Sequence, residues 1–449
     1  MPGRRTRITE GRWVKMQAGF GEVVITPPMG TGMAGYFAER LAEGIKDDLH
    51  SRALVVSQGD THVAVAVTDL IAMLPEDIQA VKQQVQARVG IPESHVLIAA
   101  SHTHTGPVVH RRPGFRRDEE YMKTWARLTA GAIEIAFRDR VEVTLGVGRG
   151  SLPGVSFNRR FFMKNGYAHT NPGTGNPDIV KPAGPVDTDV TVLRFDGPDG
   201  VPVGVLAHFG CHCDTVGGKL FSADWVGVAA EKIRCAMQPK GSARPFGVVV
   251  VNGASGDINQ FNVSDPGRPR RWPGYTEEIG LGLAGETVRV AVSLSPEACD
   301  QVGAASTEVA LERMPLAEFL EKSHQALNDP KVGRMERRVA EVNPEWAEYH
   351  GSQPDSFMQE VICLRIGPAL ITSGPGEMFT QLGIDFKEAF PNTFGMVANL
   401  SNGYLGYVPT AKAYEEGGYE PRSTRLCPGT GEAIIEAGIA LGKQLMGER

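Results

Sequence analysis

The sequence predicts a mixed α/β fold in which β-sheets are layered with helices and the active site lies at strand ends. Short runs of β-branched residues alternate with segments whose apolar residues recur at helical spacing. Several strand-like runs end directly in polar residues, among them the run before Ser101 and the run before Asn252. This alternation favours sheets covered by helices, a class in which ligands collect where strands end.

The first half of the chain provides five predicted elements. Residues 75–89 predict a helix because Ile78, Val81 and Val85 recur at helical spacing. Gly, Pro and Asn are frequent between residues 151 and 187, which is typical of a long surface loop able to wall a pocket. In order, we expect a strand at 63–67, a helix at 75–89, a strand at 96–100, the loop at 151–187 and a strand from 201 to about 211.

The second half continues the same alternation. Residues 311–350 are charged and helix-patterned around a turn at Asn328 to Pro330, which predicts a peripheral helical hairpin. No internal repeat and no clear linker are evident, so residues 1–449 are interpreted as a single domain with a flexible leader at 1–18. The remaining predictions are a strand at 246–251, a loop at 264–274, a strand at 369–373, a helix at 378–390 and a strand at 396–400.

The composition excludes several classes of protein. The chain has 449 residues, of which 41% are hydrophobic and 22% charged, and its net charge is −6. This balance argues against binding to nucleic acid or to anionic membranes, and favours a small-molecule substrate with a homo-oligomer left open. The six cysteines are few and scattered. Together with a basic N-terminus that no apolar run follows, they predict a cytoplasmic protein with reduced thiols.

Two histidines after the strand at 96–100 are candidate metal ligands. His102 and His104 are two residues apart, so an extended chain projects both rings to one side, about 6 to 7 Å apart. Neutral imidazole is the commonest metal ligand, and the surrounding Ser and Thr side chains supply hydrogen bonds that orient such rings. The alternative is that a histidine in a turn caps backbone carbonyls.

A second pair, His208 and His212, lies on a strand-like run. Alternation places both rings on one face and Cys211 and Cys213 on the other, which disfavours a Cys-His metal cluster. Because four strand residues span about 13 Å, at most one of these two histidines shares the first site. The other interpretation of His208 is a hydrogen-bonded core histidine.

Three further residues follow other predicted strands. Glu377 follows Gly-Pro-Gly and is expected to open a helix, whose N-terminus would stabilise its carboxylate whatever else it does. Asp257 is either functional or a cap on backbone groups. Tyr407 is either functional or a packing residue.

Taken together and in chain order, these motifs resemble the catalytic domain of the neutral (neutral/alkaline, non-lysosomal) ceramidase family. The resemblance runs from about Gly19 to the C-terminus. The motifs are Ser101-His-Thr-His-Thr-Gly-Pro107, Gly210-Cys-His212 with Ser222-Ala-Asp224, Gly253-Ala-Ser-Gly-Asp-Ile-Asn259, Gly374-Pro-Gly-Glu377 and Gly403-Tyr-Leu-Gly-Tyr-Val-Pro409.

The resemblance implies one Zn²⁺ per chain, held by two histidines, a glutamate and a tyrosine. Carried over by position, these ligands are His102, His212, Glu377 and Tyr407. It also implies that His104 and the arginine of an Asn-Arg motif lie beside the metal and hold the substrate or a developing oxyanion. That arginine is Arg159, although Arg160 is adjacent.

One departure changes the expected chemistry. The family's catalytic serine position is occupied by Asn259, and a carboxamide cannot form an acyl-enzyme. We therefore expect a zinc-dependent hydrolase that cleaves an amide-type C–N bond through metal-activated water. His104, Arg159 and Asn259 would stabilise the oxyanion, and His104 or Asp257 would carry the proton.

The substrate is expected to be small and polar. Aromatic residues make up only 7% of the chain, the segment at 264–274 is rich in arginine, and the family's signal peptide and immunoglobulin-like domain are not recognised here. Two alternatives remain: a zinc esterase, lactonase or deacetylase, and a non-catalytic metal protein. Manganese or iron instead of zinc also stays open.

Overall fold

The computed structural model describes residues 15–265, 267–268, 272 and 274–448. Most of the predicted leader, and Arg270 and Arg271 of the arginine-rich segment, lie outside the described residues. The mixed α/β fold class is confirmed. No helix in the described part of the chain is long and apolar enough to cross a membrane.

Eleven helices lie within the described residues. They are α1 (Pro75–Val89), α2 (Glu119–Arg138), α3 (Asp224–Met237), α4 (Tyr275–Ser293), α5 (Leu316–Asn328), α6 (Arg334–Glu345), α7 (Ala347–Gly351), α8 (Thr380–Glu388), α9 (Ala411–Glu416), α10 (Tyr419–Arg422) and α11 (Thr430–Met446).

The same residues contain twenty-four strands, many of them very short. They are β1 (Gln17–Val24), β2 (Gly32–Met33), β3 (Arg40–Leu41), β4 (Gly44–Ile45), β5 (His50–Gln58), β6 (Thr61–Thr68), β7 (Val96–Ala100), β8 (Val141–Glu142), β9 (Thr144–Ser151), β10 (Phe157–Asn158), β11 (Arg160–Met163), β12 (Ala168–Thr170), β13 (Ile179–Pro182), β14 (Asp189–Asp196), β15 (Pro202–Phe209), β16 (Leu220–Phe221), β17 (Gly247–Asn252), β18 (Ile258–Asn259), β19 (Val302–Glu312), β20 (Ser356–Ile366), β21 (Ala369–Ser373), β22 (Glu377–Met378), β23 (Phe394–Ala398) and β24 (Tyr407–Val408).

Three sheets share one strand order and one set of strand directions. The orders are β7-β6-β5-β1, with β8 added at the β1 edge, then β17-β15-β14-β9 and β23-β21-β20-β19. In each sheet the first two strands are parallel and the other neighbours are antiparallel. The chain therefore repeats one connectivity three times, although no repeat is evident in its sequence. Different side chains can meet the same requirement that buried and exposed positions alternate along a strand. The three sheets therefore repeat the backbone arrangement without repeating the sequence.

Strand alternation divides the interior into one shared core and three outer cores. Leu54, Val249 and Ile362, each from a different sheet, belong to the same buried cluster. The next residues along the chain point to the opposite faces of their sheets. Val55 packs against α1 and α2, and Val250 packs against α3 and α4. The third sheet is covered by α8 and α11 in the same way. Each fully buried aliphatic side chain of this kind contributes about 1.5 to 3 kcal/mol to folding.

Each parallel pair is connected through a helix: β6 to β7 through α1, β15 to β17 through α3, and β21 to β23 through α8. The loops that leave these strands carry the residues that the sequence singles out. A parallel sheet presents its ligand site at the carboxyl ends of its strands, so three such ends can supply one site from three directions.

The segment at 151–187 differs from the predicted surface loop. It forms β10 to β13, and β11 pairs with both β12 and β13. Phe161 and Met163 are buried in a small separate apolar cluster. Backbone groups held against a packed interior need hydrogen-bond partners, and these short strands provide them.

Candidate active site

One cavity collects most of the residues that the sequence predicts to be functional. It measures about 1140 Å³ including its open mouth. The predicted residues in its wall come from the ends of several strands: His102, His104, Arg159, His212, Asn259, Glu377 and Tyr407. Asp257 and Arg160 are not among its described lining residues.

His102 adopts a backbone conformation that brings its ring into the cavity. Its φ angle is +73°, in the left-handed region that a residue other than glycine occupies only at some cost. Consequently the chain is not extended here, and the His102 and His104 ring centroids are 4.9 Å apart instead of the expected 6 to 7 Å. The Nδ1 atom of His102 lies 2.8 Å from the carbonyl oxygen of Ile71. A proton on Nδ1 leaves Nε2 with a free lone pair for a metal.

Glu377 does not open a helix, contrary to the sequence prediction. It lies in β22, which pairs in parallel with β24 in a register that sets Glu377 opposite Tyr407. The backbone N–H of Glu377 donates to the carbonyl of Gly406, and α8 begins only at Thr380. Pairing of β22 with β24 supplies the backbone hydrogen bonds that a helix would otherwise supply. It also places the two predicted ligands, Glu377 and Tyr407, side by side.

The donor atoms of this cluster fit a metal ion. His102 Nε2 lies 3.4 Å from Glu377 Oε2 and 3.4 Å from His104 Nε2. Two ligands of one tetrahedral zinc, with bonds of about 2.0 to 2.1 Å, lie about 3.3 Å apart. Glu377 Oε2 is buried and has no hydrogen-bond partner among the described residues. The candidate donor atoms of His102, His104 and His212 all lie within 4.8 Å of one another.

The electrostatics favour neutral imidazoles at His104 and His212 and a charged carboxylate at Glu377. Burial lowers the pKa of His104 and of His212 well below the ordinary histidine value, and neighbouring rings and Arg159 lower both further. Burial raises the pKa of Glu377, but His102 and Arg159 together outweigh it, so the pKa lies below the ordinary value. Neutral imidazole and ionised carboxylate are the forms that bind a metal.

Arg159, and not Arg160, reaches the cavity. Its Nε donates to Glu420 Oε1 at 2.7 Å, its Nη2 donates to the carbonyl of Gly256 at 2.7 Å, and its Nη1 lies 3.5 Å from His212 Nδ1. Arg160 points away, toward Glu416 and the carbonyl of Gly417. This arrangement holds one guanidinium edge beside the histidines.

Asp257 is placed differently from its predicted catalytic role. Its Oδ1 accepts hydrogen bonds from the backbone and hydroxyl of Thr380, and its Oδ2 accepts one from Asn158. Because both carboxylate oxygens accept these hydrogen bonds, Asp257 holds its own loop against the start of α8 and against Asn158. It does not face the cavity. Asn259 lies in the cavity wall and donates to Asn171 Oδ1 at 2.6 Å.

His208 is not part of the cluster. Its Nε2 hydrogen-bonds the carbonyl oxygen of Val397 at 3.0 Å, as expected of a core histidine.

Several lining residues were not singled out by the sequence analysis. Helix α6 contributes Met335, Val339 and Asn343, so the segment predicted as a peripheral hairpin forms part of the cavity wall. Glu420, which orients Arg159, and Arg112 were also missed. Nothing in their local sequence marks them, because their significance comes from contacts with distant parts of the chain.

Gly256 sets the position of Glu377 through close backbone packing. A Cβ atom there would lie 2.3 Å from the carbonyl oxygen of Glu377, and the Gly256 N–H donates to Met378. We expect Gly256→Ala to displace β22, destabilise the fold by about 1 to 3 kcal/mol and weaken metal binding at least about tenfold. Metal titration and denaturant unfolding measure both effects.

Gly285→Ala in α4 is the matched control, because an added Cβ there meets no atom of the described residues within 4 Å. It should raise stability by about 0.5 to 1 kcal/mol and leave metal binding unchanged. Wild-type metal affinity in Gly256→Ala would show that β22 does not position the ligands.

The fold and the cavity define an α/β protein with a candidate metal centre at converging strand ends. Residues 16–265, more than half of the chain, match the family described as neutral/alkaline non-lysosomal ceramidase, N-terminal. The chain therefore belongs to the neutral/alkaline non-lysosomal ceramidase family, which confirms the resemblance seen in its motifs.

Individual relatives are distant. A neutral ceramidase of Pseudomonas aeruginosa is 23% identical over 95% of this chain and 72% of its own length. A neutral ceramidase of Mycobacterium tuberculosis is 28% identical over 44% of this chain, and the match spans only 32% of that protein. The crystal structure of the Pseudomonas aeruginosa enzyme superposes with a TM-score of 0.76 at 21% identity, covering 97% of this chain and 75% of that one. This last comparison confirms the fold.

Proposed function

We propose that the protein is a metal-dependent hydrolase that cleaves an amide C–N bond, with Zn²⁺ held by His102, His212, Glu377 and Tyr407. One observation carries this proposal: the candidate donor atoms of His102, His104 and His212 all lie within 4.8 Å of one another, and His102 Nε2 lies 3.4 Å from a buried oxygen of Glu377 that has no hydrogen-bond partner among the described residues. The name of its relatives, neutral ceramidase, supports an amide as the bond that is cleaved.

Side chains beside the metal centre stabilise the oxyanion and transfer the proton. A bound zinc would polarise a carbonyl and lower the pKa of a bound water to about 7. Arg159 presents the Nη1 edge of its guanidinium to the cavity, where it can donate to a developing oxyanion. His104 carries the proton, since Asp257 is occupied elsewhere and the Nδ1 of His104 has no hydrogen-bond partner among the described residues.

Asn259 stands where the family has its serine and lies in the cavity wall. A carboxamide donates a hydrogen bond but does not attack a carbonyl, so its role is to stabilise the oxyanion. We expect Asn259→Ala to keep its metal and to lose about 10² to 10³ in kcat. Metal analysis and steady-state kinetics test this.

Asn165→Ala is the matched control for that variant. Asn165 lies at an exposed turn, where its side chain contacts Lys331 and His169. The Asn165→Ala variant should show wild-type kcat. Unchanged kcat in Asn259→Ala would exclude Asn259 from the reaction.

The cavity also changes the expectation of a purely polar substrate. Aromatic residues are few in the chain but concentrated here, and Ile71, Met335 and Val339 add aliphatic surface. We therefore propose a substrate with an apolar part that packs on this wall. The aromatic lining residues are Tyr36, Phe37, Trp346, Tyr404, Tyr407 and Tyr419.

Metal content per chain, followed by hydrolysis of matched amides and esters, tests the proposal. We expect about one zinc per chain, loss of turnover on chelation, recovery when zinc is added back, and cleavage of amides. Cleavage of esters alone would replace the proposal by the esterase alternative. A chain that binds no metal, or binds it without hydrolysing either class, would overturn it.

A further inference from the structure

Arg112 is a cation in the cavity wall that no carboxylate of the described residues neutralises. Two arginines are among the described residues that line the cavity, Arg112 and Arg159. Arg159 is paired with the fully buried Glu420. By contrast, no carboxylate among the described residues lies within 4 Å of the Arg112 guanidinium. Its Nε atom is buried and has no hydrogen-bond partner there.

Aromatic groups hold this guanidinium in place. Its Cζ atom lies 4.7 Å from the Trp346 ring centroid and 5.3 Å from that of Tyr349, and Nη2 donates to the hydroxyl of Tyr404 at 3.4 Å. Stacking of this kind fixes the plane of an arginine, and the Nε of Arg112 stays without a partner among the described residues. Tyr404 is three residues from Tyr407, so the same loop links Arg112 to the metal centre.

Three nearby titratable groups in the described part of the chain, His110, His350 and Tyr404, supply no compensating charge. Burial, followed by the charge of Arg112, lowers the pKa of His110 well below the histidine value and that of His350 to about 4. Burial raises the pKa of Tyr404 to about 12. All three groups are therefore neutral at pH 7. A partly buried guanidinium surrounded by neutral groups carries a desolvation cost, and an anion arriving with a ligand reduces that cost.

We propose that the amide substrate carries a free carboxylate, which Arg112 binds while the amide lies at the metal centre. The inference rests on the proposed amide hydrolysis and names its substrate class. A planar guanidinium matches a carboxylate with two parallel hydrogen bonds, which a neutral head group does not reproduce. The carboxylate can belong to the amine half, as in an N-acyl amino acid, or to the acyl half, as in a half-amide of a dicarboxylic acid.

The experiment compares each acid with its neutral isostere. The probes are an N-acyl amino acid and its carboxamide, and a dicarboxylic half-amide and its methyl ester, assayed with the zinc-loaded protein. For one pair we expect kcat/KM of the acid to exceed that of the neutral isostere by about 10- to 100-fold, mainly through KM. Which pair shows the preference identifies the half that bears the carboxylate.

Arg112→Gln should abolish this preference while retaining hydrolysis of the neutral isostere, which also shows that the variant is folded. Arg112→Lys keeps the charge without the planar fork and should retain only part of the preference. Arg111→Gln is the matched control, because Arg111 is exposed and pairs with Glu76 and Glu119. It should keep the full preference.

Equal kcat/KM for acid and isostere in the wild type, or an unchanged preference in Arg112→Gln, would overturn the inference while leaving amide hydrolysis intact. If no amide is hydrolysed, the proposed function fails instead. Calorimetry then still tests Arg112. Wild type should bind a non-hydrolysable carboxylate analogue at least tenfold more tightly than its neutral counterpart, and equal affinities would again overturn the inference.

Discussion

His102→Ala is expected to lose its metal and to reduce turnover by at least about 10³-fold. His102 is 2% exposed, and its Nδ1 contact with Ile71 directs Nε2 at Glu377. Loss of a metal centre removes several kcal/mol of transition-state stabilisation, and each 1.4 kcal/mol corresponds to a factor of ten in rate. Elemental analysis of the purified variant and steady-state kinetics measure the two effects.

Two other histidine variants make the test specific. His104→Ala should keep its metal and lose turnover, because the proposed ligand set does not include His104. His208→Gln should match wild type in metal content and rate, because His208 bonds Val397 outside the cavity. Loss of metal from His104→Ala would make His104 a ligand. Full metal content and activity in His102→Ala would refute the proposed centre.

Glu420→Gln is expected to lower the free energy of unfolding by about 3 to 5 kcal/mol. Glu420 is fully buried and accepts from Arg159 Nε and from Thr170 Oγ1, each at 2.7 Å, and Arg160 Nε lies 3.7 Å away. Removing its charge leaves buried guanidinium groups uncompensated, which costs far more than an intact pair contributes. Because Arg159 is then no longer held beside His212, kcat/KM should fall as well.

Glu76→Gln provides the comparison for Glu420→Gln. Glu76 also pairs with an arginine, Arg111, but both side chains are about half exposed. Surface pairs contribute little, so stability should change by less than about 0.5 kcal/mol. Denaturant unfolding of both variants measures the contrast. Similar small losses in the two would mean that Arg159 is not buried as the structure shows.

Local patterns in the sequence predicted several elements well. Helix α1 and strands β7 and β21 have the predicted bounds, because each consists of a clear helical or β-branched pattern bounded by turn residues. Most of the site residues predicted from the spacing of His102 and His104 and from the five motifs line the cavity. The prediction of a surface loop at 151–187 was wrong, because its glycines and prolines resemble a loop while the segment forms β10 to β13. The prediction that it walls a pocket is confirmed by Arg159, Thr170 and Asn171 in the cavity wall.

Other features depend on contacts between residues far apart in the chain. Arg159 and Glu420 are 261 residues apart, and Arg112 and Tyr404 are 292 apart. Glu377 and Tyr407 are brought side by side by the pairing of β22 with β24. The sequence around Glu377 by itself suggests the start of a helix. No local pattern encodes such pairings, so neither the cation at Arg112 nor the support of Arg159 was predicted.

The sequence alone predicted the fold class, the family and a set of candidate site residues, because periodicity and individual motifs are patterns within short stretches of chain. Tertiary structure decided which of two adjacent arginines faces the cavity, that Asp257 braces a loop, and that α6 closes the wall. These outcomes depend on burial and hydrogen bonding between distant segments, and those interactions exist only once the three sheets have packed around their shared core.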